Sequence, residues 1–356
     1  MPLRYVRRAT TSRKGARTLT AVDLFSGCGG LTLGLQLAGF RVIAGVELDA
    51  LSVSTYKANH PNIQVFNKDI RTVDPAEILK DTGLQPGDLD LLAGCPPCQG
   101  FSTIRTRRTV TAADDPRNEL VAEFLRFATI LQPRAVMLEN VPGLAAYEGF
   151  LTVARELRAL GFACKYDVFN AADFGVPQRR KRLVLLGTKK GMVSFPKIDP
   201  RQRTVRDAFA GLPAVGNSGD PLHDVTERRT PRIVNLLARI PNDGGSRASL
   251  PDSFQLECHR ECSGFRDVYG RMSWDAVAPT ITTGCINPSK GRFLHPDLPR
   301  AITPREAALL QSFPRTYHFS LERGKYGAAR LIGNAFPPEF ARRHAASIAQ
   351  ALHEDQ

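Results

Sequence analysis

The chain reads Asp23-Leu24-Phe25-Ser26-Gly27-Cys28-Gly29-Gly30-Leu31 near its start, where an apolar strand runs into a glycine turn and then a helix. A turn of this kind brings backbone amides and the amino terminus of a helix against a nucleotide-type ligand. The dinucleotide-binding fingerprint fails, because Thr32 stands where its third glycine should be. A tight strand-to-helix turn that binds no ligand is the alternative.

Two acidic residues follow the turn at positions that suit the sugar and the base of a nucleoside. Glu47 lies twenty residues beyond Gly27, at the end of the second predicted strand, where a carboxylate can bind both ribose hydroxyls of an adenosine. Asp69 follows the third predicted strand and can accept a hydrogen bond from the adenine amino group. With no pyrophosphate to bind, the pattern favours S-adenosylmethionine over NAD as the cofactor.

Short apolar strands alternate with amphipathic helices from Leu19 to Gly187, which predicts an α/β fold with a doubly wound, mostly parallel sheet. The predicted strands are Ala21–Phe25, Val42–Val46, Ile63–Phe66, Leu89–Ala93, Ala135–Leu138 and Leu183–Gly187. The predicted helices carry apolar residues at three- and four-residue spacing and lie near Leu31–Ala38, Ala50–Asn59, Asn118–Leu131 and Phe150–Leu160.

After Gly187 the alternation stops, and residues 190 to 300 are rich in proline, glycine and arginine without a clear period. We therefore expect a smaller, irregular second domain. The expected segments are a basic flexible arm over 1–18, a catalytic domain over 19–190, a small domain over 191–330, and a C-terminal segment over 331–356 that returns to the catalytic domain.

One helix of the small domain is well signalled. Thr303 can cap it, Pro304 suits its first turn, and Glu306 completes a capping box. Pro314 closes the segment, so the helix is predicted to end before that residue.

The segment Gly94-Cys95-Pro96-Pro97-Cys98-Gln99-Gly100-Phe101-Ser102 places a cysteine on a proline-stiffened turn directly after an apolar strand. Open α/β sheets place reactive groups just beyond the carboxyl ends of their strands, so a nucleophile on this turn predicts an active site. Cys95 and Cys98 also have the spacing of a redox or zinc Cys-x-x-Cys pair, and the segment alone leaves both readings open.

A carboxyl group is expected at the same edge of the sheet as that thiol, since Glu139 follows the fifth predicted strand. Carbon 6 of a pyrimidine becomes a good target for a thiolate only if N3 is protonated during the attack, which a carboxylic acid can do. The attack then makes carbon 5 electron-rich enough to accept a methyl group. Taken alone, Glu139 could instead cap a helix or form a salt bridge.

Basic residues accumulate before the last predicted strand, in Gln178-Arg179-Arg180-Lys181-Arg182. Side chains alternate across a strand, so Arg180 and Arg182 are expected on one face, where one can hold a base oxygen and the other a phosphate. A solvated basic edge strand is the alternative. The stretch from Phe101 to Arg117 is expected to close over an extruded nucleotide, with a plain surface loop as the alternative.

The charge of the chain indicates a polyanionic partner. Its 356 residues include 48 Lys and Arg against 35 Asp and Glu, a net charge of +13. Ten of the basic residues lie between Gln178 and Arg206, where Asp199 is the single acid. Six more fall within the first twenty residues, as an arm that either contacts phosphates or is merely solvated.

The cysteine content and the hydropathy of the sequence indicate the cellular compartment. Seven cysteines, an odd number in a long chain, do not indicate a disulfide framework, and no apolar stretch approaches the ~18 residues that a membrane span requires. A reducing cytoplasm is expected, with a monomer as the default. Cys258 and Cys262 flank His259, yet no complete second pair exists outside the turn at Cys98, so no metal is expected.

Together these motifs resemble those of the DNA cytosine-5 methyltransferases, in the same order and over nearly the whole chain. The glycine turn is similar to the family's cofactor loop, Pro96-Pro97-Cys98-Gln99 to its nucleophile motif, and Glu139-Asn140-Val141 to its acid motif. Gln178–Arg182 and Gly333-Asn334 are similar to its arginine motif and its last motif. The resemblance implies a Rossmann-like, S-adenosylmethionine-dependent methyltransferase with a smaller target-recognition domain.

The resemblance also implies a role for each motif residue. It implies Cys98 as the nucleophile, Glu139 as the acid at N3, Arg182 near the base O2, and Arg180 as support for that site. The target-recognition segment should lie between Met192 and Tyr269. The residues implied to bind S-adenosylmethionine are Phe25, Ser26, Gly27, Gly29, Gly30, Glu47, Leu48, Asp69, Ile70, Pro97 and Asn334.

The implied reaction is methyl transfer from S-adenosylmethionine to carbon 5 of a cytosine flipped out of double-stranded DNA, through a covalent Cys98–C6 intermediate. A bacterial modification enzyme in the cytoplasm, associated with the nucleoid, is expected, and a cognate restriction endonuclease encoded nearby is a candidate partner. Two alternatives stay open: methylation of transfer RNA by the same chemistry, and a catalytically silent DNA-binding protein that keeps only the fold.

Overall fold

A computed structural model describes residues 17–97, 120–225, 227–254 and 267–355. Several sequence-based predictions lie outside these ranges: most of the basic arm, Cys98, the stretch from Phe101 to Arg117, and Cys258 with Cys262. The chain divides into two compact units. The larger unit comprises the described parts of 7–174, 181–198 and 336–356, and the smaller unit those of 175–180 and 199–335.

Within the described ranges, seven strands of the larger unit form one sheet. They are β1 (Thr20–Leu24), β2 (Arg41–Val46), β3 (Gln64–Phe66), β4 (Leu91–Gly94), β5 (Ala135–Asn140), β6 (Ala163–Asn170) and β7 (Lys181–Thr188). Their order is β3-β2-β1-β4-β5-β7-β6, and only β7 runs antiparallel to its neighbours. β1, β4 and β5 are buried along their whole length, as expected where helices cover both faces of a parallel sheet. The predicted doubly wound, mostly parallel α/β fold is therefore confirmed.

The described helices, in chain order, are α1 (Gly30–Leu37), α2 (Ala50–Asn59), α3 (Pro75–Thr82), α4 (Leu120–Leu131), α5 (Glu148–Ala159), α6 (Val205–Phe209), α7 (Pro231–Arg239), α8 (Pro304–Leu310), α9 (Gly324–Asn334) and α10 (Pro338–Glu354). The first five and α10 belong to the larger unit. In the part of the chain that the structure describes, none of the helices is both long and apolar enough to span a bilayer.

Helices α1 and α10 approach each other closely at Gly34. A Cβ atom on that residue would lie 2.4 Å from Ala341 Cβ and 2.7 Å from the Pro338 carbonyl oxygen. Protein interiors have no room to absorb such an overlap, so a side chain would force the two helices apart. The C-terminal helix α10 thus packs closely against α1, the helix that follows the glycine turn.

The sequence analysis does not predict two elements of the larger unit, β6 and α3. β6 is an edge strand that is partly exposed along its length, and its sequence lacks a continuous apolar run. α3 is only eight residues long, although Asp74 caps its first turn and Gly83, with φ of 71°, ends it in the left-handed conformation. The formation of β6 and α3 therefore depends more on packing within the larger unit than on a hydrophobic period in their own sequences.

The smaller unit has its own apolar core, built from one side of α7 and from later segments: Leu236, Leu237, Ile240, Leu250, Val268, Tyr269 and Leu294. The buried Arg271 guanidinium donates to the carbonyl oxygens of Leu237, Ile240 and His295. The carbonyl groups at the end of a helix lack partners within it, so these bonds satisfy the C-terminal end of α7 and fix it to the unit.

The predicted capping box is confirmed at the start of α8. Thr303 Oγ1 accepts from the Glu306 amide, and the Glu306 carboxylate accepts from the Thr303 amide at 2.8 Å. Arg300 adds a paired contact, with Nη1 and Nη2 each 2.7 Å from one Glu306 oxygen. The helix ends at Leu310, before Pro314, as predicted.

Candidate functional site

The carboxyl ends of β1, β4 and β5 lie side by side at one edge of the sheet. Leu24 of β1 pairs with Gly94 of β4, and Gly94 pairs with Leu138 of β5. The glycine turn, the start of the cysteine segment and Glu139 therefore open onto the same edge. Ligand sites of open α/β sheets lie at that edge.

The glycine turn after β1 places three alternate residues in the left-handed conformation. The φ angle is 57° at Phe25, 55° at Gly27 and 92° at Gly29, which precedes Gly30 at the start of α1. Glycine adopts this conformation freely, whereas Phe25 is strained by it. The Ser26 amide donates to a carbonyl oxygen of β2 at 3.0 Å and holds the turn in place. Backbone strain retained in this way is typical of ligand sites.

Glu47 joins the glycine turn to the end of β2 through both carboxylate oxygens. Oε2 accepts from the Gly27 amide at 2.9 Å, and Oε1 accepts from the Asp49 amide at 2.7 Å. Burial raises the pKa of this carboxyl group, and backbone hydrogen bonds, chiefly those from Asp49 and Gly27, oppose the rise. A carboxylate has about four acceptor positions, so two remain for sugar hydroxyls. The neighbouring Leu48 is 65% exposed and offers an apolar surface for a base.

Asp69 and Ile70 lie beyond β3 at the start of a short 3-10 turn. The Asp69 carboxylate accepts from Arg71 Nε at 3.0 Å and from Nη2 at 2.6 Å, and these hydrogen bonds lower its pKa. Asp69 is thus an ionised acceptor, and an adenine amino group would share its oxygens with Arg71. Ile70 is buried, and its carbonyl oxygen accepts from Arg126 at 2.7 Å.

The sequence analysis missed a series of buried, hydrogen-bonded polar side chains under the glycine turn. The Thr32 hydroxyl donates to Asp23 Oδ2 at 2.6 Å and lies 2.9 Å from the Tyr56 hydroxyl. Burial raises the pKa of Asp23 to about 7. Thr32, which replaces the third glycine of the dinucleotide fingerprint, therefore joins Asp23 to Tyr56 in this set of hydrogen bonds. The available signal was an acidic residue inside an otherwise apolar strand.

Glu139 lies at the buried end of β5 with 8% of its surface exposed. Arg182 Nε, from β7, is 2.7 Å from Glu139 Oε1. The Cys95 thiol also hydrogen-bonds to this carboxyl group, and its pKa is raised well above the usual value, first by burial and then by the negative charge of Glu139. Because the thiolate is the nucleophilic form, Cys95 acts here as a hydrogen-bond donor and is unsuited to nucleophilic attack.

Asn140 connects the acid to the cysteine segment. Its Nδ2 donates to the Pro96 carbonyl oxygen at 2.9 Å, and its Oδ1 accepts from the Val141 amide at 2.8 Å. The exposed Pro97 is the last described residue of the segment, and Cys98 follows it in the sequence. The bond to Pro96 fixes this backbone relative to the end of β5, which the sequence analysis did not anticipate.

The two arginines of the arginine motif do not share a strand face as predicted, because β7 begins at Lys181. Arg182 belongs to the larger unit and contacts Glu139 there. Arg180 belongs to the smaller unit, where its buried guanidinium donates to the carbonyl oxygens of Ile281 at 3.0 Å and Gly333 at 3.1 Å.

Gly333 and Asn334 end α9 within the same network of the smaller unit. A Cβ atom on Gly333 would lie 2.3 Å from the Thr282 carbonyl carbon, so the close backbone approach requires glycine. Gln178 Nε2 donates to Gln311 Oε1 at 2.7 Å, which joins the start of the arginine motif to this network. The contact of Asn334 with a cofactor stays a prediction.

Comparisons with known proteins agree with the motifs. The model of the C-5 cytosine-specific DNA methylase family matches residues 19–350. The type II methylase M.HgiDII of Herpetosiphon aurantiacus is 38% identical over 353 residues, covering 94% of this chain and 97% of that protein. The type II methyltransferase M1.HphI of Haemophilus parahaemolyticus is 34% identical over 343 residues, covering 94% of this chain and 87% of that protein.

Solved structures share the fold. An E. coli structure described as a DNA modification methyltransferase encoded within a prophage has 29% identity and a TM-score of 0.68, covering 94% of this chain and 99% of that one. Spodoptera frugiperda DNMT2, at 18% identity and a TM-score of 0.59, covers 93% and 99% and shows the fold alone. The family model spans most of the chain, and the bacterial relatives match along nearly their full length. The chain therefore belongs to the C-5 cytosine-specific DNA methylase family and is a DNA cytosine-5 methyltransferase of the bacterial modification type.

Proposed function

We propose that the enzyme transfers a methyl group from S-adenosylmethionine to carbon 5 of a cytosine flipped out of duplex DNA, through a covalent bond between Cys98 Sγ and carbon 6. Two contacts at the end of β5 carry this proposal. The buried Glu139 carboxyl group is paired with Arg182, and its neighbour Asn140 holds the backbone that leads to Cys98. An acid and a cation are thus available beside the described part of the cysteine segment.

The residues beyond β1 and β2 fit S-adenosylmethionine. The left-handed turn presents backbone groups to a ligand, Glu47 retains acceptor positions for two hydroxyls, and Leu48 exposes an apolar surface. When bound, this cofactor supplies an electrophilic methyl group on a positively charged sulfur. The proposed contact residues are Phe25, Ser26, Gly27, Gly29, Gly30, Glu47, Leu48, Asp69, Ile70, Pro97 and Asn334.

In the proposed reaction, the Cys98 thiolate adds to carbon 6 while Glu139 delivers a proton to N3. Arg182 binds the O2 of the base, and Arg180 supports the arginine motif through its bonds within the smaller unit. Carbon 5 then carries the electron pair that takes the methyl group. Loss of the C5 proton to a base and departure of Cys98 from carbon 6 restore the aromatic ring, and the N3 proton returns to Glu139.

The type II relatives suggest the biological setting of the reaction. M.HgiDII is named as a type II methylase and M1.HphI as a type II methyltransferase. We propose that this enzyme acts on nucleoid DNA in the cytoplasm and that a restriction endonuclease of the same specificity accompanies it. Methylation would then protect the host DNA from that endonuclease.

Transfer of a labelled methyl group tests the proposal against the transfer RNA alternative. The wild-type enzyme is expected to label 5-methylcytosine in duplex DNA and to leave transfer RNA unlabelled. Glu139→Gln should lower the rate on DNA by about 10²- to 10⁴-fold, because the proton for N3 is lost. Label found chiefly in transfer RNA, or on another atom of the base, would contradict the proposal.

A further inference from the structure

Helix α7 of the smaller unit has an apolar side and a basic side. Its apolar side packs into the core of that unit. On the other side, at three- and four-residue spacing, lie Arg232, Asn235 and Arg239, which we call the outward face of α7. All three residues are exposed, and α7 contains no acidic residue. The helix therefore presents positive charge to its surroundings.

Arg239 is held in one orientation although it is exposed. Its guanidinium carbon lies 4.0 Å from the centre of the Phe254 ring, and its Nε donates to Asn235 Oδ1 at 3.1 Å. Among the described residues, no acidic side chain pairs with Arg239, and its two Nη groups make no hydrogen bond. The Phe254 ring and the side-chain amide of Asn235 thus orient Arg239, and its two Nη groups stay available to donate hydrogen bonds to a ligand.

Arg206 of the same unit differs from Arg239 because its guanidinium is paired with an acid. Its guanidinium carbon also lies over an aromatic ring, 5.3 Å from the centre of Trp274. Its Nε and Nη2, however, bind the two carboxylate oxygens of Asp275 at 2.7 Å and 2.9 Å. Acidic side chains of the unit likewise bind Arg201, Arg229, Arg292, Arg300 and Arg305.

The open fork of Arg239 matches a ligand with two adjacent acceptors. Guanine offers O6 and N7 in the major groove, and the groove is wide enough for an α-helix. Arginine binds such pairs of acceptors bidentately because its fork is planar and rigid. Contacts to phosphates carry no sequence information, whereas hydrogen bonds to base edges do. The bonds from Arg271 to the end of α7 supply the rigid support that such reading needs.

We infer that the outward face of α7 enters the major groove of the target DNA, where Arg239 reads a guanine through O6 and N7. Arg232, two helical turns or about 10 Å away along the axis, contacts a backbone phosphate. The inference rests on the proposed action on duplex DNA and adds a specificity-determining residue to it.

Methylation maps test this inference. The full-length enzyme and its variants methylate a plasmid library with randomised sequence, and bisulfite sequencing then gives the base preference at each position around the methylated cytosine. Arg239→Ala should lose the preference for guanine at one position and methylate the wild-type site about 10- to 100-fold less efficiently. Arg239→Lys should stay defective, since an ammonium group is not a planar fork.

Two further variants serve as controls. Arg206→Ala, which removes a stacked but acid-paired arginine, should give the wild-type map. Arg232→Ala should weaken methylation of all sequences alike and lower the slope of log affinity against log salt by about one. Arg239 is exposed, so its variants should fold, and their melting temperatures provide the check.

Three results would overturn the inference: an unchanged map for Arg239→Ala, a wild-type map without a required guanine, or a uniform loss that marks Arg239 as a phosphate contact. These outcomes differ from a failure of the proposed function. In that case the wild-type enzyme itself would not methylate carbon 5 of cytosine in duplex DNA, and the inference would fall with it.

Discussion

At the scale of single residues, burial decides which groups of the site carry charge. Asp23 lies fully buried in β1, and within the described chain its Oδ1 has no hydrogen-bond partner. A carboxylate in that position is poorly solvated, which is why the pKa of Asp23 rises to about 7. The same cause raises the pKa of the Cys95 thiol and keeps it protonated.

The raised pKa of Asp23 predicts a dependence of stability on pH. The folded state keeps a proton up to about pH 7, whereas an ordinary Asp loses it near 3.8. The stabilising contribution is therefore present below about pH 4 and is lost as the pH rises to about 7. We expect the free energy of unfolding of the wild type, relative to Asp23→Asn, to fall over this interval by roughly 4 kcal/mol at most.

Urea unfolding of both proteins at several pH values measures this difference. Buried histidines such as His344 titrate in both proteins alike, so the difference between the two curves isolates Asp23. A difference that stays constant between about pH 5 and about pH 7 would show that Asp23 is already ionised in the folded enzyme.

At the scale of elements, the site depends on the connection between the ends of β4 and β5. Asn140 provides it through the bond to Pro96, which lies two residues before Cys98. Two consecutive prolines stiffen the segment, so fixing one carbonyl oxygen constrains the backbone that follows. The contact thereby fixes the position of the Pro96 backbone relative to the end of β5, where the acid lies.

We expect Asn140→Ala to lower kcat by about 10- to 100-fold, because a displacement of about 1 Å at a catalytic group costs on that order. Loss of the two side-chain hydrogen bonds of Asn140 should cost about 2 kcal/mol of stability. Asn59→Ala is the matched control, since Asn59 Nδ2 also donates to a backbone carbonyl, at 2.8 Å within α2. Single-turnover rates at saturating DNA measure the effect. A rate for Asn140→Ala equal to that of Asn59→Ala would argue against the connection.

The sequence predicts those elements whose burial is visible in their composition. β1, β4 and β5 are buried on both faces and appear as apolar runs, and α8 carries its capping box in its own residues. β6 is a half-exposed edge strand and gives no such run. The expectation that Arg180 and Arg182 share one strand face was wrong, because the start of β7 at Lys181 depends on pairing with its neighbours.

In the candidate site, too, some features can be predicted from the sequence and others cannot. Glu139, Cys98 and the glycine turn are recognisable because each belongs to a short contiguous motif. The contacts that join them are not local: Asn140 and Pro96 are 44 residues apart, and Thr32 and Tyr56 are 24 apart. Such pairs are set by the register of the sheet and the packing of the helices, which spacing along one chain does not encode.

At the scale of the whole molecule, the two units carry different parts of the proposed function. The larger unit holds the glycine turn, Glu47 and the acid with its arginine. The smaller unit holds the outward face of α7 and a polar network around Arg180. A net charge of +13 suits the shared substrate, because duplex DNA is a polyanion.

Formation of a covalent complex with DNA tests the central claim most directly. Duplex DNA in which 5-fluorocytosine replaces cytosine cannot lose a proton from carbon 5 after methyl transfer, so the bond from Cys98 to carbon 6 should persist. In the presence of S-adenosylmethionine, the wild type and Cys95→Ser are predicted to form a complex that survives a denaturing gel, and Cys98→Ser to form none. A complex formed by Cys98→Ser, or its absence with the wild type, would contradict the account.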